Sequence, residues 1–89
     1  MVVVKRHGHK EKFDDRKIYA SCYAACINCE IEKKYAEDVC EKIAKEIKKW
    51  ANKQKSVDSN SIFRKVIEKL KEIGEEDVAF MYETHRDIS

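Results

Sequence analysis

Proline is absent from the chain, and glycine occurs only at Gly8 and Gly74. Without proline, nothing breaks a helical pattern from within. With so little glycine, no G-x-x-x-x-G-K-[ST] phosphate loop exists, and Gly8 is the only glycine near a group of cations. No apolar run reaches the ~18 residues needed to span a bilayer. An excess of one charge is also missing: 19 Lys and Arg stand against 17 Asp and Glu, a formal net charge of +2. No global field therefore demands a nucleic acid as partner. There is no low-complexity segment, no internal repeat and no Ser-His-Asp set that local spacing would support, so binding without catalysis is expected.

What the chain has is 89 residues, 40% charged and 43% hydrophobic. That length makes one domain, residues 1–89, burying only about 60–65% of its unfolded surface. Met1 is followed by valines and then basic residues, the reverse of a signal peptide, which points to the cytoplasm. In that compartment Cys22, Cys26, Cys29 and Cys40 are expected as thiols rather than disulfides.

Charge is concentrated at the start. Residues 1–17 hold Lys5, Arg6, Lys10, Lys12, Arg16 and Lys17 against Glu11, Asp14 and Asp15. Val2 to Lys5 is a β-branched run and reads as a strand. A two-residue turn at His7-Gly8 would let Arg6 face His9, Val4 face Glu11 and Val2 face Phe13. Val2, Val4, Glu11 and Phe13 would then share the inward face, with Lys5, Lys10 and Lys12 on the other. A lone hairpin is marginal in water, so its apolar face must lie on something.

The remainder reads as helix. Asp14 is a good N-cap with Asp15 in the first turn. Ile18, Cys22, Ala25, Cys26 and Cys29 follow at three- and four-residue steps, and Asn28 marks a stop. A second helix, from about Ile31 to Asn52, has the stripe Tyr35, Ala36, Val39, Cys40, Ile43, Ala44, Ile47 and Trp50. Lys53 to Ser61 is polar, and Val57 within it could add a short strand to the hairpin. Asp58 or Ser59 caps a third helix with Ile62, Phe63, Val66, Ile67, Leu70 and Ile73 inward. Gly74 ends it. Glu75, Glu76 and Asp77 open a fourth helix burying Val78, Ala79, Met81 and Tyr82, and the last residues, Asp87 to Ser89, should fray. The expected fold is mainly α (α+β): a four-helix bundle capped by a small N-terminal hairpin or three-stranded sheet.

V-V-K-R-x-G at Val3–Gly8, E-x-F-D at Glu11–Asp14 and K-I at Lys17-Ile18 resemble the opening of ATP-cone domains. These are the regulatory modules at the N-terminus of many ribonucleotide reductases and in the bacterial repressor of reductase genes. The resemblance continues through Ser59 and Ile62 to Val78-Ala79, and so covers essentially the whole chain. It implies a bundle covered by a three-stranded sheet that binds ATP or dATP, with Mg as an optional companion. By the same resemblance, Lys5, Arg6 and Lys17 correspond to phosphate contacts. Glu11 and Asp14 correspond to polar positions beside the nucleotide, Ile18 to an apolar contact with the base, and Ser59 and Phe63 to the pocket lining. His7 departs from the acid usual in the family, Phe63 replaces a polar residue of some members, and Arg86 only roughly matches a late basic residue. No reductase catalytic domain follows and no zinc ribbon precedes, so a free-standing module is expected, acting through a protein partner or as a homo-oligomer.

Physics supports the cationic assignments. Arg grips phosphate oxygens with a bidentate fork and Lys acts as a point charge. The first turn of the first helix would add backbone N–H groups. Two acids at that helix start would repel phosphates, which places Asp14 and Glu11 on the ribose or base side.

Several other residues admit a sharper reading beside a blander one. Cys22, Cys26 and Cys29 form C-x3-C-x2-C with Cys40 following, yet zinc wants four ligands, usually from loops. Small buried thiols account for all but Cys29, so packing is expected and no metal. His7 and His9 are read as solvated turn residues. Trp50, near Lys48, Lys49 and Lys53, could mark a nucleic-acid or membrane patch but more often packs a helix end. The alternative to a nucleotide module is a small DNA- or RNA-binding regulator using the basic hairpin and the Lys-rich end of the second helix. A third reading is an adaptor with a vestigial pocket.

Overall fold

A computed structural model describes residues 2–4 and 10–84 of the chain, without the side chains of Val2 and Glu11. The element order is β1 (Val2–Val4), β2 (Lys10–Lys12), α1 (Asp15–Asn28), α2 (Lys33–Asn52), β3 (Ser56–Asp58), α3 (Ser59–Glu72) and α4 (Glu76–Thr84). Four helices and a three-stranded sheet are thus present among the described residues, as expected.

The helices form where apolar residues recur at helical spacing, and they stop where the backbone can be satisfied. Asp14 is extended and accepts the Arg16 N–H at 3.0 Å, capping α1. Asp58 caps α3 by accepting the Asn60 N–H at 2.6 Å. Two helix ends share one closing geometry. After α3, Glu75 N–H reaches Leu70 O (2.9 Å) and Gly74 N–H reaches Lys71 O (3.0 Å), with Gly74 at φ 84°. After α1, Ile31 N–H reaches Cys26 O (3.1 Å) and Glu30 N–H reaches Ile27 O (3.0 Å), with Glu30 at φ 60°. Both satisfy otherwise orphaned carbonyls through a left-handed residue. Only Gly74 adopts that conformation without a Cβ penalty.

The core is continuous across the bundle. Ile18, Cys22, Ala25 and Cys26 of α1 meet Ala36, Val39, Cys40, Ile43, Ala44 and Ile47 of α2, with Val66 and Leu70 of α3 and Val78 and Ala79 of α4. Trp50 is half-buried against this core, with Lys65 Nζ 5.7 Å from its ring centroid. Its ring packs a helix end rather than standing open. Two positions differ from the sequence reading of α2. Ala51 is fully buried, while Tyr35 is 45% exposed. Ala36 takes the inward position in that turn, and the Tyr35 hydroxyl instead donates to Glu75 Oε1 at 2.8 Å.

The sheet has the order β2-β1-β3. Val57 does add a strand, and it pairs parallel to β1. The hairpin register, however, is one residue from the expected one. Val4 pairs with Lys10, Val3 with Glu11 and Val2 with Lys12, not with Phe13. A one-residue slip reverses the faces of a strand, so the buried residue of β1 is Val3 (7% exposed), with Val4 only partly covered. The cause lies on the other edge: β1 is the central strand, and Val3 also pairs with Val57 (5% exposed). The two buried side chains share one register position. Phe13, expected on the hairpin face, follows β2 and packs partly against the helical core. The turn residues His7, Gly8 and His9, and the chain end at 85–89, lie outside the described residues.

Candidate functional site at the junction of β2 and α1

Where β2 gives way to α1, six consecutive residues, Lys12 to Lys17, line an open cavity of about 470 Å³. That volume is in the range of small-ligand sites, about 300–1,000 Å³. Strand, connection and first helical turn each contribute. Three of the lining residues, Lys12, Arg16 and Lys17, are cations, all exposed.

Two acids stand among them, and Asp14 is fully engaged. Its Oδ1 accepts from the Arg16 backbone N–H and from Arg16 Nε, both at 3.0 Å, and its Oδ2 accepts from Arg16 Nη2 at 3.1 Å. The side-chain and backbone hydrogen bonds from Arg16 hold the Asp14 carboxyl below the usual carboxylate range. The same pair raises the Arg16 pKa. Arg16 turns one edge of its fork to Asp14 while its side chain stays 88% exposed. The acid at the helix start is thereby neutralised from within the site. Repulsion of an approaching anion is smaller than the bare sequence suggests.

The capping also narrows one expectation. The Arg16 N–H is used by the Asp14 side chain, and the Lys17 N–H by the Asp14 carbonyl at 3.2 Å. These first-turn amides are not open to a ligand while the cap holds. An anion at this helix start would therefore meet the side chains of Lys12, Arg16 and Lys17 rather than those two amides.

The residues singled out from the sequence fall into three groups. Asp14 and Lys17 line the cavity together. Ile18, the next residue, is 6% exposed and belongs to the bundle core, and Glu11 stands in β2 opposite Val3. Ser59 opens α3 and Phe63 lies one turn further on; neither lines the cavity. The Phe63 ring stacks on Tyr82 of α4, with centroids 5.4 Å apart and planes 26° from parallel. Tyr82 is fixed in turn by Ser21, whose hydroxyl lies 3.2 Å from the Tyr82 hydroxyl. Lys5 and Arg6 lie outside the described residues.

Sequence reasoning passed over Lys12, Phe13, Asp15 and Arg16 as site residues. Arg16 carried a usable signal. A capping Asp followed two positions later by Arg lets one carboxylate meet both the helix start and a guanidinium.

No helix among the described residues is long and apolar enough to cross a membrane. The transcriptional repressor NrdR of Carboxydothermus hydrogenoformans is 27% identical over 90 residues, covering 100% of this chain and 58% of the repressor. The chain thus spans little more than half the length of that relative. The description of the ATP cone domain matches residues 1–89, and the chain belongs to the ATP-cone family.

Proposed function

We propose that the chain is a regulatory module that binds ATP or dATP, carries no catalysis of its own and transmits occupancy to a protein partner or a second copy. The observation that carries this reading is a cationic cavity at the β2–α1 junction of an ATP-cone chain. Lys17, with Lys5 and Arg6, takes the phosphates, and Arg16 keeps the Asp14 charge from opposing them. Glu11 and Asp14 stand on the ribose and base side; the family resemblance also assigns Ile18 to the base and Ser59 and Phe63 to the pocket lining, although Ile18 is buried in the core and Ser59 and Phe63 lie outside the β2–α1 cavity. Magnesium is optional, since the cations already answer the phosphate charge. The reading belongs in the cytoplasm, where these nucleotides are abundant. Control follows if the nucleotide prefers one of two packings of sheet and helix ends, and a partner distinguishes them.

Calorimetric titration with ATP, dATP and GTP tests this. ATP or dATP should bind, and Lys17→Ala should lose about tenfold or more in affinity, the range for a hydrogen bond to a charged group. The variant should remain folded by circular dichroism, so that the loss is one of binding. Silence for all three nucleotides in the full chain ends this reading.

NrdR is a transcriptional repressor, which keeps a nucleic-acid reading in view. The local structure supports it less. Trp50, the aromatic nearest the Lys-rich end of α2, is half-buried and overlaid by Lys65, so it is no open stacking platform. Oligonucleotide affinity that falls steeply with salt would favour that second reading.

A further inference from the structure

Three of the four cysteines converge at one point inside the bundle. Cys22 and Cys26 lie one turn apart on α1, and Cys40 meets them from α2. Their Sγ atoms all lie within 4.8 Å of one another, with Cys26 and Cys40 at 3.9 Å. The three are 0%, 1% and 0% exposed. Cys29 stands apart, its thiol donating to the Asp77 carbonyl at 3.5 Å.

Packing explains why small residues sit there, but not why three sulfurs meet. A metal–thiolate bond is about 2.3 Å, so three sulfurs around one ion in a plane lie about 4.0 Å apart. The observed spacing reaches that geometry with sulfur movements under about 1 Å, within the scope of rotamer adjustment. The three thiols belong to the same buried core as Ile18, Ala25, Ala36, Val39, Ile43 and Ala44. Among the described residues, the group holds no carboxylate, imidazole or fourth thiol. Oxygen-seeking ions such as magnesium or calcium find no ligand there. Tetrahedral zinc is one ligand short. A soft ion content with three sulfurs fits.

We propose that Cys22, Cys26 and Cys40 form a buried three-sulfur site for a soft, thiophilic metal ion of the monovalent-copper class. Each of the three S–H bonds breaks as its proton passes to solvent, and each sulfur's electron pair goes to the incoming Cu(I), because the thiolate is the metal ligand. Copper stays monovalent, and the three copper–thiolate bonds outweigh the cost of the residual negative charge in the apolar core. None of the three thiols reaches the surface, so the ion is taken up when α1 and α2 part or as the chain folds.

The test uses the full chain, reduced and refolded without oxygen in the presence of Cu(I) held by a coloured chelator of known affinity. The wild type should withdraw one ion per chain, and X-ray absorption should show three sulfurs at about 2.3 Å. Cys29→Ala should behave as wild type. Cys26→Ala and Cys40→Ala should each bind at least a hundredfold more weakly. Failure of the wild type to compete with the chelator overturns the site. So does coordination by nitrogen, oxygen or a fourth ligand, or equal binding by Cys29→Ala and Cys40→Ala. The absorption measurement on the wild type decides the matter even if an alanine variant does not fold. A parallel refolding with zinc alone should give no stoichiometric binding, and a tetrahedral zinc site there overturns the three-coordinate assignment.

Discussion

The helical bundle and the sheet end are built on different terms. In the bundle, Ile43, Ile47, Val66, Leu70 and Val78 are essentially without exposed surface and belong to one continuous core. In the sheet, each strand is three residues long, and Val3 and Val57 are the buried residues, outside that core cluster. Strands this short contribute little by themselves. The contrast separates two tasks. The bundle supplies stability, and the sheet end, with the adjoining β2–α1 cavity, is held by far fewer buried residues.

The most damaging way to probe this contrast is through the core. Ile47→Ala should destabilise the protein by about 2–5 kcal/mol, the range for removing a large aliphatic side chain from a packed interior. Urea denaturation checks it, and for a domain this size much of the total stability is at stake. A smaller effect is expected across the divide. Val57→Ala removes two methyl groups and should cost about 1.5 kcal/mol at ~0.8 kcal/mol per buried carbon. On the nucleotide-binding reading it should also weaken ATP binding several-fold, because β3 supports β1 from its other edge. If Val57→Ala cost as much as Ile47→Ala, the sheet would be part of the main core and the distinction would fail.

The smallest effect concerns acid. Asp14 has its pKa lowered from 3.8 by the Arg16 side chain and backbone. A depressed carboxylate stabilises the fold fully above its unfolded pKa, and that contribution is lost as pH falls through the lower, folded value. Stability should therefore decline below about pH 4, and Asp14→Asn, still a competent cap, should flatten that part of the curve. Unfolding curves for the two proteins between pH 2 and pH 6 would show it.

Which parts of this were legible in the sequence follows from how local they are. The caps at Asp14 and Asp58 and the stop at Gly74 depend on neighbours in the chain, and they stand where the residue types put them. The stripes on α2 and α3 were readable for the same reason, apart from Tyr35 and Ala51 at the helix ends, where a turn can lean either way. The hairpin register was not local. It is set as much by Val57, on a distant strand, as by any turn, so reasoning from His7-Gly8 alone placed Val2 and Val4 inward where Val3 belongs. Glu30 in a left-handed conformation carried no signal, since nothing about a glutamate announces it. The cavity was half legible: Lys17 and Asp14 were found, but the Arg16 fork that neutralises Asp14 needed coordinates. The thiols were placed on buried stripes correctly, yet only the way α1 faces α2 reveals that three sulfurs share one point.

The parallel pairing of β1 with β3 has a consequence for the order in which the protein assembles. Val3 meets Val57 across more than half the chain, with β2, α1 and α2 between them. Closing so long a loop is entropically costly, and few contacts reward it at once. The helices can form and dock on local contacts first, leaving the central strand to find its second neighbour last. The sheet is then the final part of the molecule to be completed and the first to open. Backbone amides of β1 and β3 should exchange with solvent well before those of α2, and a bound ligand should slow them most.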